Sequence, residues 1–311
     1  SGRDPAILDN DITFSNLGID ISQSDPLVQG NYIIQTNLSG INLGPGASPL
    51  VLENNLAFNK GRGISVRPGA MPVIRSNSIT SNFYGMVLEA AHMPVEDNVY
   101  RFNDFAVECD LGTDSIFHNN TFDSSTFFDF LVRGDSHPTV SSSPINKSHV
   151  AADLTSSLKV QWSVDAKVVN TKGIPETNAI VTFRDKSNTT IHSDKTKNGG
   201  LLPTFTALEA EVTYGGIRAF GPFRVDIDKA GIRNTTFIDI DRDTNVTLYF
   251  NHRPSLSLTS IDVEEDKAQE FDLSMNLSDP DGNVLDLMIS SPSPHLTIDN
   301  IMKTMSVYYN G

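Results

Sequence analysis

The sequence predicts an all-β chain: a parallel β-helix over residues 1–150, a β-sandwich over 151–250 and the opening part of a second sandwich over 251–311. Three observations predict it. Asparagines recur about every 22 residues through the first 120 positions. Apolar residues alternate with polar ones at period two in short runs along the chain. Gly, Pro, Asn, Asp and Ser separate those runs at close intervals.

The asparagine period carries the first element. An apolar residue is followed three positions later by Asn at Asn10, Asn31, Asn54, Asn77, Asn98 and Asn119, separated by 21, 23, 23, 21 and 21 residues. A second amide follows in most units, at Asn16, Asn37, Asn59, Asn82 and Asn103. Units then close on a small residue and an alternating apolar pair, as in Gly40-Ile41-x-Leu43 and Gly63-Ile64-x-Val66. Such a unit is too short for a helix pair and fits one coil of a parallel β-solenoid. Neighbouring coils lie about 4.8 Å apart, so the amides stack. Each then donates to one neighbour and accepts from the other, which satisfies a polar group inside a core. Asn also tolerates the left-handed backbone that a tight corner requires. After "FFDFLVRGDSHP" the pattern weakens, and the Ser-rich "TVSSSPINKSHVAADLTSS" predicts a last irregular coil followed by a linker.

Cys109, the single cysteine, falls in the apolar column Ile21, Leu43, Val66, Leu88, Cys109 and is expected to be a small buried hydrophobe. It excludes an intrachain disulfide. Residues 1–150 hold 8 basic and 16 acidic residues, 151–250 hold 12 of each, and 251–311 hold 3 and 10. A balance this acidic argues against nucleic-acid or anionic-membrane partners and favours divalent cations. No apolar run approaches a membrane span. The opening "SGRDPAIL" already lies within a repeat unit, so a piece of a larger protein is expected.

From Leu158 the pattern turns to period-two strands, with Val160, Trp162 and Val164 on one face. "NTKGIPETN" makes a hairpin-like turn into Ala179–Phe183, and four further runs follow to Phe250. Seven or so strands in a hundred residues predict a sandwich. "DIDRDTN" (239–245) lacks the Gly and Glu of an EF-hand loop and predicts the wet face of a strand.

Three resemblances follow from these residues. Residues 4–134 resemble the right-handed parallel β-helix repeats shared by pectate-lyase-like enzymes, polysaccharide epimerases, phage tailspikes and many secreted surface proteins; the hand agrees with that of parallel crossovers. "VVNTKGIPETNAIVTFRDKSN" and "HSDKTKNGGL" resemble carboxypeptidase-regulatory-like and transthyretin-like sandwiches, which serve as spacers or accessories in secreted proteins. Asn251–Pro254, Val263-Glu264-Glu265-Asp266, the "SDPDGN" turn at 278–283 and Tyr309-Asn310-Gly311 resemble cadherin-like, Ig-like repeats. That last resemblance implies calcium at Glu264, Glu265, Asp279 and Asp281, although "NHRP" lacks the aspartates of a full calcium-binding linker and Asp-Pro-Asp-Gly is also a good turn.

The first resemblance raises a catalytic question, since hydrolases of that group use clustered aspartates and lyases use Arg or Lys with calcium. Arg75 and Arg101 in neighbouring rungs, and His92, Glu96 and Asp97, form no such set; His118 falls at a corner. Sequons at Asn37, Asn119, Asn146, Asn188, Asn234, Asn245 and Asn276 are candidate N-glycosylation acceptors. The expected function is a non-catalytic structural or adhesive part of a large extracellular, secreted or cell-surface protein. Its expected partners are carbohydrate, other surface proteins or further copies through unpaired strand edges. The alternative is a polysaccharide lyase or glycoside hydrolase with its catalytic rungs upstream.

Overall fold

The structure, a computed structural model, describes residues 5–257, 268–274, 277–281, 296–299 and 304–308. Its regular secondary structure is strand apart from two single-turn 3₁₀ segments. Among the described residues no helix is long and apolar enough to cross a membrane.

Residues 5–152 wind into about seven coils that build three parallel faces of seven, six and seven strands. The first face runs from Ala6–Leu8 through Leu27–Gln29, Leu50–Leu52 and Val73–Arg75 to Thr139–Ser141. The second comprises Asp11–Thr13 to Thr121–Asp123, and the third Leu17–Ile21 to Val150–Ala152. Register is strict: Val28, Val51, Ile74 and Val95 are successive partners on the first face. Each central residue points inward, so the core is a set of vertical apolar columns with exposures near zero. Lower coils fill the interior with rings, Tyr100 stacking on Phe122 at 5.0 Å and Phe130 meeting Phe117 edge-on at 5.0 Å.

Two corners of each coil share one construction. A residue with positive φ makes the bend, and the next residue turns a polar side chain into the core. At the first corner the bending residues include Asp9, Glu53, Ser76 and Asp97, with φ between 51° and 58°. The ladder amides follow at Asn10, which is exposed on the first coil, and at the buried Asn31, Asn54, Asn77 and Asn98. Asn31 Nδ2 donates to Asn54 Oδ1 at 2.9 Å, Asn54 to Asn77 at 3.0 Å, and Asn77 to Asn98 at 2.9 Å. Each Oδ1 also accepts the backbone N–H of the preceding rung's asparagine, as Asn77 does from Asn54 at 3.0 Å. The amide thus seals the corner while its neighbour bends it.

That division of labour corrects two sequence expectations. The sixth member of the ladder is Asn120, whose Oδ1 accepts from Asn98 Nδ2 at 3.2 Å. Asn119 is exposed, takes the bending position with φ 53°, and donates to Asp97 at 2.6 Å. The inward residue of that rung is Phe117, fully buried, rather than Ile116, which is 48 % exposed. At the second corner the inward column is the half-buried Ser15 and the buried Thr36, Asn59, Asn82 and Asn103, five residues after the first ladder throughout. Asn16 and Asn37 lie one step outside it and bond to each other on the surface at 3.0 Å.

The expected linker is another ordered coil. Thr139–Ser141 and Val150–Ala152 extend the first and third faces, and Ser143 Oγ accepts from Asn120 N at 2.8 Å at the foot of the ladder. The chain then enters the 14-residue strand Ser157–Asn170. Its start pairs parallel with Thr139–Ser141, so it belongs to the first face. The same strand pairs antiparallel with Phe205–Thr213 and parallel with Thr244–Phe250. Trp162, Val164, Ala207 and Phe223 consequently share one continuous core with the coil.

A second sheet, in the order Thr190–Lys195, Ile180–Arg184, Phe223–Lys229, Ile232–Ile238, contributes Val181, Phe183, Val225 and Ile227 to a core shared with Ala166, Val168, Leu248 and Phe250. The Asn170–Asn178 turn links the two sheets; Ile180–Arg184 does not form a hairpin with the long strand. "DIDRDTN" lies mostly in the connection between Ile232–Ile238 and Thr244–Phe250, with Ile240 buried. Asp243 there accepts from Ser142 Oγ and Ser163 N, each at 2.8 Å, and ties the connection to the last coil. Beyond Phe250 the described strands are Ser255–Leu256 with Leu277–Ser278, and Ala268–Asp272 with Thr304–Tyr308 and Leu296–Asp299.

Candidate functional site

The outer surface of the third face concentrates charge that the register brings together. Arg62–Val66, Tyr84–Glu89, Phe105–Asp110 and Phe128–Val132 are successive strands, and their central outward residues Ser65, Val87 and Glu108 stand in one column. All three are buried although they point away from the core, because longer side chains cover them from both sides. On one side stand Arg62, Tyr84 and Phe105 in register, Tyr84 stacking on Phe105 at 5.0 Å. On the other stand Arg67, Glu89, Asp110 and Arg133. Arg67 Nη1 reaches both oxygens of Glu89 at 2.9 Å. Arg133 bonds Asp110 at 3.1 Å and contacts Glu108.

Burial pushes the Glu108 carboxyl above the usual carboxylate range, although Arg133 pulls it back. Burial, and then the Glu108 charge, raise the Tyr84 hydroxyl. A depression of about 440 Å3 opens above this surface, with Asn42, Arg62, Arg67, Phe83 and Tyr84 among its walls. The chemistry is that of a hydrogen-bonding surface edged by aromatic rings. Sequence reasoning misses it, since Arg67 and Glu89 are 22 residues apart and meet only once the rungs are aligned.

Residues singled out in the sequence lie elsewhere. Arg75, Glu96 and His118 fall on consecutive rungs of the first face. Arg101 lies 3.6 Å from Asp123, and His92 contacts Asp114. Cys109 is fully buried, and burial raises its thiol far above the ordinary range. The sequons at Asn37, Asn119, Asn146, Asn188 and Asn245 are exposed and Asn234 is half-buried; Asn276 lies outside the described residues.

Of the expected calcium positions, Glu264 and Glu265 also lie outside the described residues. Asp281 is 4 % exposed, accepts the backbone N–H of His252 and faces its ring 3.1 Å away. That contact and the His252 charge hold its carboxyl below the usual range against the opposing effect of burial. Asp279 accepts from Asp281 N at 2.7 Å, the geometry of a turn. Among the described residues no group of three or more His, Cys, Asp or Glu side chains is disposed to hold a metal ion.

Residues 1–122 match the family model for a right-handed β-helix region. With the three stacked faces, this defines the amino-terminal part of the chain as a right-handed parallel β-helix within an all-β protein. No match is found among curated proteins or among solved structures.

Proposed function

We propose that the chain is a stiff, non-catalytic part of an extracellular or cell-surface protein that acts in adhesion or as a structural spacer. One observation carries this reading: the strand Ser157–Asn170 belongs at once to the β-helix and to the two-sheet unit, so no hinge separates them. Lys147 and Trp162 both bond Glu209, at 2.6 and 2.7 Å, and strengthen the same junction. In this reading the two-sheet unit is a carboxypeptidase-regulatory-like spacer and residues 251–311 belong to a cadherin-like, calcium-binding repeat. Surface sequons would carry glycans, and the partners are carbohydrate or other surface proteins, further copies included. The test is mechanical: pulling the chain from its ends in a single-molecule force experiment gives no low-force extension between coil and sheets. A compliant step there sinks the reading.

Glu108 favours a second reading, a polysaccharide lyase or glycoside hydrolase. A buried carboxyl with a raised pKa beside Tyr84 and Arg133 suits a general acid. Against it, Arg133 and Arg67 are spent on neighbouring carboxylates. Incubation with pectic and alginate-type polysaccharides decides the matter: new reducing ends or unsaturated products that vanish in Glu108→Gln establish the enzyme.

A further inference from the structure

The bending residues of the second corner form their own vertical column: Phe14, Gln35, Phe58, Ser81, Phe102 and Ser124, with φ between 52° and 57°. Backbone bonds fix its alignment. Phe14 N donates to Ile34 O, Gln35 N to Ala57 O, Phe58 N to Thr80 O, Ser81 N to Arg101 O and Phe102 N to Asp123 O. Every second position is phenylalanine, 44 residues apart each time. The three rings are 78, 57 and 58 % exposed.

Folding does not account for these rings. A left-handed backbone disfavours bulky side chains, and Gln or Ser makes the same bend on alternate rungs. An exposed ring returns little burial to offset that strain. Two rungs span about 10 Å, so the rings form a ladder along the coil axis with polar residues between them. A cleft of about 350 Å3 lies between Phe14 and Phe58, lined by Gln35, Asn37 and Lys60.

We propose that this corner is the docking strip for an extended, uncharged polysaccharide lying parallel to the coil axis. A pyranose ring offers an apolar C–H face that stacks on an aromatic ring and hydroxyls that bond amides at its rim. Rings about 10 Å apart address alternate sugars of a straight chain, and Gln35 supplies an amide for the sugar between Phe14 and Phe58. The acidic balance of residues 1–150, 8 basic against 16 acidic residues, opposes an anionic chain. A protein partner would call for a contiguous apolar patch, and here polar residues interrupt it at every second rung. The proposal deepens the adhesive reading and rests on it only in that the bound chain is held rather than cut.

The test is affinity electrophoresis and calorimetry with hydroxyethyl cellulose, galactomannan and, as the anionic control, polygalacturonate. Phe14→Asn, Phe58→Asn and Phe102→Asn are measured singly and together. Asparagine suits the left-handed backbone, so the melting temperature is expected to hold or rise while single variants lose about tenfold in affinity and the triple variant all detectable binding. Wild-type protein that binds neither neutral polymer, binds polygalacturonate best, or is matched by the triple variant overturns the proposal. So does a triple variant that binds normally but loses self-association in sedimentation, which makes a second copy the occupant. Reducing ends assayed in the same mixtures report separately on the non-catalytic reading: cleavage with binding lost in the triple variant removes that reading alone.

Discussion

Asn119 and Asn120 are chemically identical neighbours, and the fold assigns them opposite roles, so truncating each in turn tests the ladder directly. Asn120 Oδ1 accepts from Asn98 N at 2.9 Å and from Asn98 Nδ2 at 3.2 Å, and its Nδ2 donates to Val95 O at 2.8 Å. Asn120→Ala leaves the Asn98 N–H and the Val95 carbonyl without these partners in a dry interior. Two such buried groups at about 2 kcal/mol each give a loss of ~4 kcal/mol. For a chain of this size that lowers the melting temperature by roughly 10 °C. Asn119→Ala removes one exposed bond to Asp97 and the tolerance of Asn for the left-handed backbone, and should cost about 1 kcal/mol. The assay is urea unfolding followed by the fluorescence of Trp162, the single tryptophan, buried where the coil meets the sheets. Equal losses in the two variants, or a larger one at Asn119, would refute the corner geometry.

Three other outcomes follow from the same structure. The Asp153 carboxyl is lowered to about 2 by hydrogen bonds from Ser156, Gly134 N and Thr155, so its contribution to stability is present above the unfolded value of 3.8 and is lost as pH falls from there toward 2. Asp153→Asn should therefore melt lower than wild type at pH 7, with the difference closing by pH 2 in a thermal series. Cys109 should ignore a thiol reagent such as Ellman's in the native protein and react fully in denaturant, because burial holds it as the thiol. A Cβ added at Gly63 would lie 2.6 Å from Gly85 O, so Gly63→Ala should cost about 2 kcal/mol in the same urea titration.

Much of the coil could be read in the sequence, because an amide among apolar residues is conspicuous and its period is nearly constant. The misplacements have physical causes. At 116–120 two apolar residues precede two asparagines, and only the pairing of Val95 with Phe117 decides which of each faces inward. At 15–16 and 36–37 a hydroxyl beside the asparagine fills the buried position, and Thr36 Oγ1 donates to Asn59 Oδ1 at 2.9 Å. The same substitution made the last coil look like a linker. Ser136, Ser143 and Ser156 are buried, and Ser136 Oγ and Ser156 Oγ accept from Thr113 N and Ser136 N at 3.0 and 3.1 Å. Composition cannot distinguish a hydroxyl ladder from a loop. The charged pairs of the third face were hidden for another reason, since they are neighbours in register and strangers in sequence.

The corner construction also explains how such a coil can carry function without losing its fold. Bending and sealing fall on adjacent residues. The sealing residue points inward, bonds the rungs on either side, and is fixed by those bonds to Asn, Ser or Thr. The bending residue points outward, and its backbone N–H already bonds the next coil, so its side chain owes nothing to the core. Strain of about 1 kcal/mol attends a non-glycine residue there, less for Asn and Asp than for a bulky side chain. Occupants as different as Phe58, Ser81 and Phe102 at one corner, or Glu53, Ser76 and Asp97 at the other, therefore all make the same bend. Side chains at the corners are free to be chosen for what they touch outside, and a ring on every second rung is a choice that folding alone does not make.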